Sequence, residues 1–254
     1  MSELTIRFGS GSDIGRQRVG NEDYYKIVCS TAMPEGFDAI FVVADGMGGH
    51  AAGEVASRMA VESVLETLAS PDNELEAFGA QETLDLMHSA INRANRVVIE
   101  EGVRSPEKRG MGTTCTLGVM QGDFLHIAHI GDSRGYLMRG GNLSRLTKDH
   151  SVVEEEVRRG LLTMDQARTD PRRNLITAAI GLDRDLTVDT ERLELFAGDR
   201  IMFCTDGLNS MISDQEIGVL LDGSDPQKTC QRLIDSANTA GGDDNITVVV
   251  ADLT

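Results

Sequence analysis

The 254-residue chain has no apolar run near the ~20 residues that a membrane span requires, and Met1-Ser2-Glu3 lacks the basic and apolar regions of a secretory signal. No membrane partner is expected, and a cytoplasmic location follows as the default. Positive charge is scarce: 24 Lys and Arg stand against 41 Asp and Glu, a net charge of −17. That balance argues against nucleic acid and anionic lipid as partners, because both demand clustered Lys and Arg. Cysteine occurs only at positions 29, 115, 204 and 230, with spacings unlike any zinc or thioredoxin pattern. The contexts of Cys29, Cys115 and Cys204 read as strand core, so four free thiols are expected. There is no internal repeat and no linker, and the glycines at 9–11 and 46–49 lack the strand, GxGxxG and helix order that nucleotide binding requires.

What is present suffices for a core. Apolar residues make up 40% of the chain and charged residues 26%, close to globular averages, which predicts a single domain over 1–254. Residues 37–44, FDAIFVVA, form a continuous β-branched run closed by Asp45-Gly46, the pattern of a strand buried on both faces or nearly so. Val55, Met59, Val64 and Leu68 recur near 3.6-residue spacing and predict a helix over 51–68. Leu84, Met87, Ile91, Ala94 and Val98 predict a second over 81–100, with Gly102 as its stop. From 113 onward TTCTLGVM, FLHIAHI, RGYLMR and LSRL, parted by tight turns, predict an antiparallel meander. Residues 151–183 carry many charges, a short helix at 152–159 and Pro171, and read as a surface flap joined to the core through Gly160 and Gly181. Strands return at 186–195, 200–205 and 246–250, with helices at 214–221 and 226–240. Hairpin-joined strands with helices in separate pairs imply an α+β fold, antiparallel sheet inside and helices outside.

Four acids lie at the boundaries of apolar strands: Asp45, Asp132, Asp206 and Asp244. Each alone could simply start a turn, since Asp is poor inside strands. If the strands share one sandwich, however, the four converge at one rim, where they repel one another unless cations neutralise them. Oxygen-only ligands suit magnesium or manganese, and the scattered histidines and cysteines offer no zinc set. Two such ions, roughly 3.5 to 4 Å apart, can activate a bridging water and clamp a phosphoryl group, so hydrolysis of a phosphate ester is the natural chemistry.

The segments SDIGRQRVGNED (12–23), VVADGMGGHAAGEVAS (42–57), GMGTTCT (110–116), HIGDSRGYL (129–137), LTKDHS (146–151), LITAAIG (175–181), CTDGLNSMIS (204–213) and GGDDNITVVV (241–250) resemble, in order, the motifs of bacterial type 2C metal-dependent protein phosphatases, the PPM family. The resemblance spans almost the whole chain. It implies a four-layer αββα sandwich and a cytosolic enzyme that hydrolyses phosphoserine and phosphothreonine in proteins with a metal-bridged water, opposing a bacterial serine/threonine kinase.

By the same resemblance Asp45 lies between two metals, with the Gly46 carbonyl, Asp206 and Asp244 as further ligands. Glu22 and Asp23 match acids that bind directly or through water. Arg18 matches the phosphate-holding arginine, a role its bidentate fork suits, whereas nearby Arg16 has no counterpart. His50 matches the histidine that protonates the departing serine or threonine oxygen. The family often carries a further Asp where this chain has Ser210, so Asp132 and Asp206 are left for a possible third ion. The remaining histidines, His88, His126, His129 and His150, read as structural, with His150 ordering the loop before the flap. The competing reading is a pseudophosphatase that binds phosphoproteins without turnover.

Overall fold

The computed structural model describes residues 5–29, 36–49, 51–70, 79–223 and 225–254. In chain order the strands and helices are β1 (Ile6–Asp13), β2 (Asp23–Cys29), β3 (Ala39–Met47), α1 (Ala51–Leu68), α2 (Ala80–Arg104), β4 (Gly112–Thr113), β5 (Cys115–Gln121), β6 (Phe124–Ile130), β7 (Arg134–Arg139), β8 (Asn142–Arg145), α3 (Val152–Arg158), α4 (Met164–Thr169), β9 (Asp189–Glu194), β10 (Arg200–Cys204), α5 (Asp206–Asn209), α6 (Asp214–Leu221), α7 (Pro226–Thr239) and β11 (Ile246–Leu253). One sheet runs β1-β11-β10-β7-β8; the other runs β2-β3-β5-β6-β9, with β4 pairing β3. All pairs are antiparallel.

The period of two in each strand builds four layers. In β3, Ile40, Val42 and Ala44 face α1 and α2, while Ala39, Phe41 and Val43 face the other sheet. In β11, Ile246, Val248 and Val250 pack under α6 and α7, while Val249, Ala251 and Leu253 face inward. Both central strands are thus buried on both faces, which is why they read as continuous apolar runs. Between the sheets the Phe41 and Phe203 rings lie 4.9 Å apart at 56°. Gly118 makes room for them: a Cβ there would stand 2.7 Å from Phe41 and 2.9 Å from Phe203.

The α+β sandwich matches the expectation, with four local differences. Residues 113–146 do not form one meander: β5 and β6 belong to one sheet, β7 and β8 to the other. The chain changes sheet at residues 131–133, where Gly131 adopts φ +110° and a side chain would strike Thr114. β1 and β2 carry no clean apolar alternation and escape the sequence reading; they form through pairing with β11 and β3. Cys29 lies on β2, as a strand residue, but is exposed, because it ends an edge strand; Cys115, Cys204 and Cys230 are buried, and all four are free. Gly102 does not stop α2, which continues to Arg104 and closes at Ser105.

The flap holds α3 and α4, capped by Ser151 and Thr163. Gly160 ends α3 at φ +73° and so lies inside the flap, while Gly181, φ +92°, stands at its exit. Among the described residues no helix is long and apolar enough to cross a membrane.

Candidate metal centre

Antiparallel pairing of β2 with β3 sets Asp23 directly opposite Asp45. Like charges in register destabilise a sheet, so this pair needs protons or cations. Asp45 lies within β3, not beyond its end, and its backbone is held on both sides: its N–H donates to Thr114 Oγ1 at 2.9 Å, and its carbonyl accepts from Thr113 Oγ1 and Thr114 N, each at 2.9 Å. Gly46 follows where no side chain fits, since a Cβ would stand 2.2 Å from the Gly53 carbonyl and 2.5 Å from that of Glu22. These contacts dock α1 against the segment bearing Glu22, whose carbonyl also accepts from Ser57 Oγ at 2.6 Å.

Asp132 occupies the sheet-crossing loop, Asp206 opens α5, and Asp244 precedes β11, as expected for strand-boundary acids. With Arg18, Glu22, Asp45 and Gly46 they line one cavity of about 310 Å³ at the rim of the sandwich. Arg16 is exposed and is not among the lining residues. Asp23 is also not at the wall: it is buried behind Asp45, its Oδ2 accepting from Thr205 Oγ1 at 2.8 Å and Thr247 Oγ1 at 2.7 Å. His50 lies outside the described residues.

The electrostatics are those of crowded acids. Burial first, then Asp23, Asp206 and Asp132, push Asp45 well above the usual carboxylate range. Asp132 is raised by burial and then by Asp206 and Asp149. Burial, then Asp244, lifts Asp206 to about 6, partly offset by a hydrogen bond with Asp45. Asp23 is lifted to about 7, mainly by burial and against the pull of its two threonines. Arg18 offers the compensating charge, holding Asp244 Oδ2 at 2.6 Å from a half-exposed position.

The residues fit hard divalent cations. Donors are oxygens only, and Asp206 Oδ1 and Asp23 Oδ1 are buried with no hydrogen-bond partner. Among the described residues no three side chains are already gathered to grip an ion, and Asp244 is turned to Arg18. For these side chains to hold an ion, the carboxylates would have to draw together and Asp244 would have to leave Arg18.

Sequence reasoning passed over the residues that hold this wall. Thr113, Thr114 and Asn245 sit inside the motif segments GMGTTCT and GGDDNITVVV. Asn245 Oδ1 accepts from Glu22 N at 2.8 Å, and its Nδ2 donates to the carbonyls of Ile14 and Gly20 at 2.9 Å each. Behind Asp132, Arg134 grips Asp149 with Nε to Oδ1 at 2.9 Å and Nη2 to Oδ2 at 2.6 Å. His150 ties the flap entrance to the loop of Asp132, its N–H donating to Gly131 O at 2.7 Å and its Nδ1 accepting from Gly131 N at 3.2 Å. His129 is buried and pushed down to about 4, chiefly by burial; its Nε2 faces the Lys148 carbonyl at 3.0 Å and so carries the proton.

The fold, two antiparallel sheets packed between helices, is that of protein phosphatase 2C domains. The chain belongs to the protein phosphatase 2C family, whose sequence model matches residues 16–247. It is 39% identical over 251 residues to serine/threonine protein phosphatase PstP of Mycobacterium tuberculosis, covering 98% of this chain and 45% of that protein's length. To serine/threonine phosphatase stp of Listeria welshimeri it is 34% identical, covering 95% of this chain and 93% of the relative. The PstP catalytic domain solved with two manganese ions superposes with a TM-score of 0.84 at 35% identity, covering 99% of both chains. Stp1 of Staphylococcus aureus superposes at 0.88 with 28% identity, covering 100% of this chain and 96% of that one.

Proposed function

We propose that the chain hydrolyses phosphoserine and phosphothreonine in cytoplasmic proteins, reversing the action of a serine/threonine kinase in a signalling pathway. The observation that carries this reading is the convergence of Asp45, Asp132, Asp206 and Asp244 on one pocket whose lining, among the described residues, includes a single arginine, Arg18. Asp45, the Gly46 carbonyl, Asp206 and Asp244 would hold two manganese or magnesium ions, Glu22 and Asp23 would support them directly or through water, and Asp132 with Asp206 could take a third. Bound there, such ions supply a water of lowered pKa and neutralise phosphoryl charge.

The chain's own residues then perform the remaining work. Arg18, released from Asp244, turns its planar fork to two phosphoryl oxygens and orients the ester for in-line attack. The leaving serine or threonine alkoxide is a poor leaving group and needs a proton, which His50 supplies. Thr113 and Thr114 keep the Asp45 backbone from shifting as charge develops in the pocket.

Turnover of a phosphothreonine peptide should require added manganese or magnesium, and Asp45→Asn or Asp206→Asn should abolish it with the far-ultraviolet circular dichroism unchanged. Near-normal turnover in either variant, with metal content verified, would remove the assignment. Peptide binding without turnover in the metal-loaded wild-type chain would favour a pseudophosphatase instead.

A further inference from the structure

Beside the main pocket lies a second cavity of about 90 Å³, contiguous with it through Asp132, Asn174 and Asp206. Its far side is built from the flap: Val153, Met164 and Ala167 give an apolar wall, and Arg168 and Arg173 stand over it. The charges of the flap sort into two groups. Arg159 has Glu155 at 3.5 Å, and Arg172 is held by Glu156 at 2.8 Å and Asp170 at 2.8 Å. Arg158, Arg168 and Arg173 are exposed and have no side-chain hydrogen bond or ion pair among the described residues; Arg158 is not among the residues lining the notch, and Arg168 lies in the field of Glu216, whose carboxylate is already engaged by Ser213.

The acids of the notch are accounted for in a different way. Asp149 is gripped by Arg134, and Glu154 is held by Arg145 at 2.6 Å. Asp132 and Asp206 form the wall shared with the carboxylate pocket, where cations would neutralise them. What remains is two exposed, unpaired arginines lining a small cavity with an apolar side. Two unpaired guanidiniums beside an apolar wall favour an anionic group on a short aliphatic stem.

We infer that this notch is a substrate subsite, and that Arg168 and Arg173 select phosphoproteins carrying an anionic side chain next to the residue being dephosphorylated. The inference rests on the phosphatase reading of the adjoining pocket and deepens it. A substrate segment whose phosphate enters the carboxylate pocket runs past the flap, and the side chains flanking the phosphoresidue meet the notch across the shared wall. Selection acts through a long-range charge interaction closed by direct hydrogen bonds, so it weakens as salt rises.

The test uses one phosphothreonine peptide with Ala, Glu or Lys at each of about three positions on either side. Both kcat/KM and Kd are measured on the manganese-loaded chain, for wild type, Arg168→Ala/Arg173→Ala and Arg168→Lys/Arg173→Lys. The wild type should favour the best Glu peptide over its Ala counterpart by about fivefold, the upper size of one exposed ion pair, and should disfavour Lys. The double Ala variant should bring that ratio close to one, and the double Lys variant should keep part of it. A structural lesion would lower all peptides together and leave the ratio intact, which would overturn the subsite, as would a wild type indifferent to flanking charge. Absence of turnover on every peptide would overturn the phosphatase reading separately, and the Kd ratio would still decide for or against the notch.

Discussion

Asp45 faces Asp23 across β2 and β3, Asp206 from α5 and Asp132 from the sheet crossing, and among the described residues none of these acids has an arginine ion pair. In the proposed centre such a residue serves a cation, which is why its substitution by Asn is expected to remove activity and not stability. In the proposed mechanism Arg18 and His50 serve the ester itself. His50→Ala is expected to slow hydrolysis of a phosphothreonine peptide by about 10²-fold to 10⁴-fold while sparing p-nitrophenyl phosphate, because nitrophenolate departs without a proton and an alkoxide does not. Manganese content, read by elemental analysis, should stay constant, since an oxygen-rich site has no need of an imidazole. Equal loss on both substrates would make a water the proton donor.

The flap is the element that most depends on contacts distant in sequence. Its exit is clamped by Asn95 in α2, which is 1% exposed: Gly181 N donates to Asn95 Oδ1 at 2.7 Å, and Asn95 Nδ2 donates to Asp183 O at 2.8 Å. Next to the clamp Ile180 pairs with Thr113, and Thr113 Oγ1 donates to the Asp45 carbonyl. Flap and metal wall thus share one hydrogen-bonded path. Asn95→Ala removes two hydrogen bonds, one to the half-buried Gly181 N–H and one to the carbonyl of exposed Asp183, and is expected to cost about 1 to 3 kcal/mol, with a fall in Tm of about 2 to 4 °C per kcal/mol. Calorimetry together with amide exchange at residues 176–183 checks this, and an unchanged Tm with unchanged exchange would show that the clamp bears no load. The excursion itself was legible, because 151–183 is charged and poor in large apolar residues. Its attachment was not: nothing in an asparagine within an amphipathic helix announces a partner 86 residues away.

At the scale of the molecule the acid cluster sets the pH response of the metal-free protein. Asp206 and Asp23 sit at about 6 and about 7 when folded, above the ordinary carboxylate value of about 3.9 of an unfolded chain. The folded state therefore binds more protons between these values, and these two groups make stability fall as pH rises from about 4 to about 7. Metal-free protein is expected to melt lower at pH 7.5 than at pH 5, and manganese should raise Tm more at pH 7.5, where the carboxylates are free to bind it. Repulsion from the net charge of −17 acts in the same direction, so Asp206→Asn is the control and should flatten the dependence. A metal-free Tm that climbs over this range would contradict the cluster's electrostatics.

Local chemistry was enough for the long elements and for the identity of the carboxylates. Continuous β-branched runs make β3 and β11 buried strands, 3.6-residue spacing makes α1 and α2, and Asp-Gly after an apolar strand marks 45 and 206. Tertiary structure alone decided the pairing of β1 and β2, whose half-exposed residues acquire strand geometry only from β11 and β3, and the change of sheet at 131–133 that carries Asp132 to the rim. It also decided which acid retreats behind the pocket, since Asp23 and Asp45 are alike as residues, whereas the motif order had already favoured Arg18 over Arg16. The reason is physical. Periodicity and turn propensity act over a few residues and leave a sequence trace, whereas convergence depends on loop closures between positions as far apart as 18 and 244.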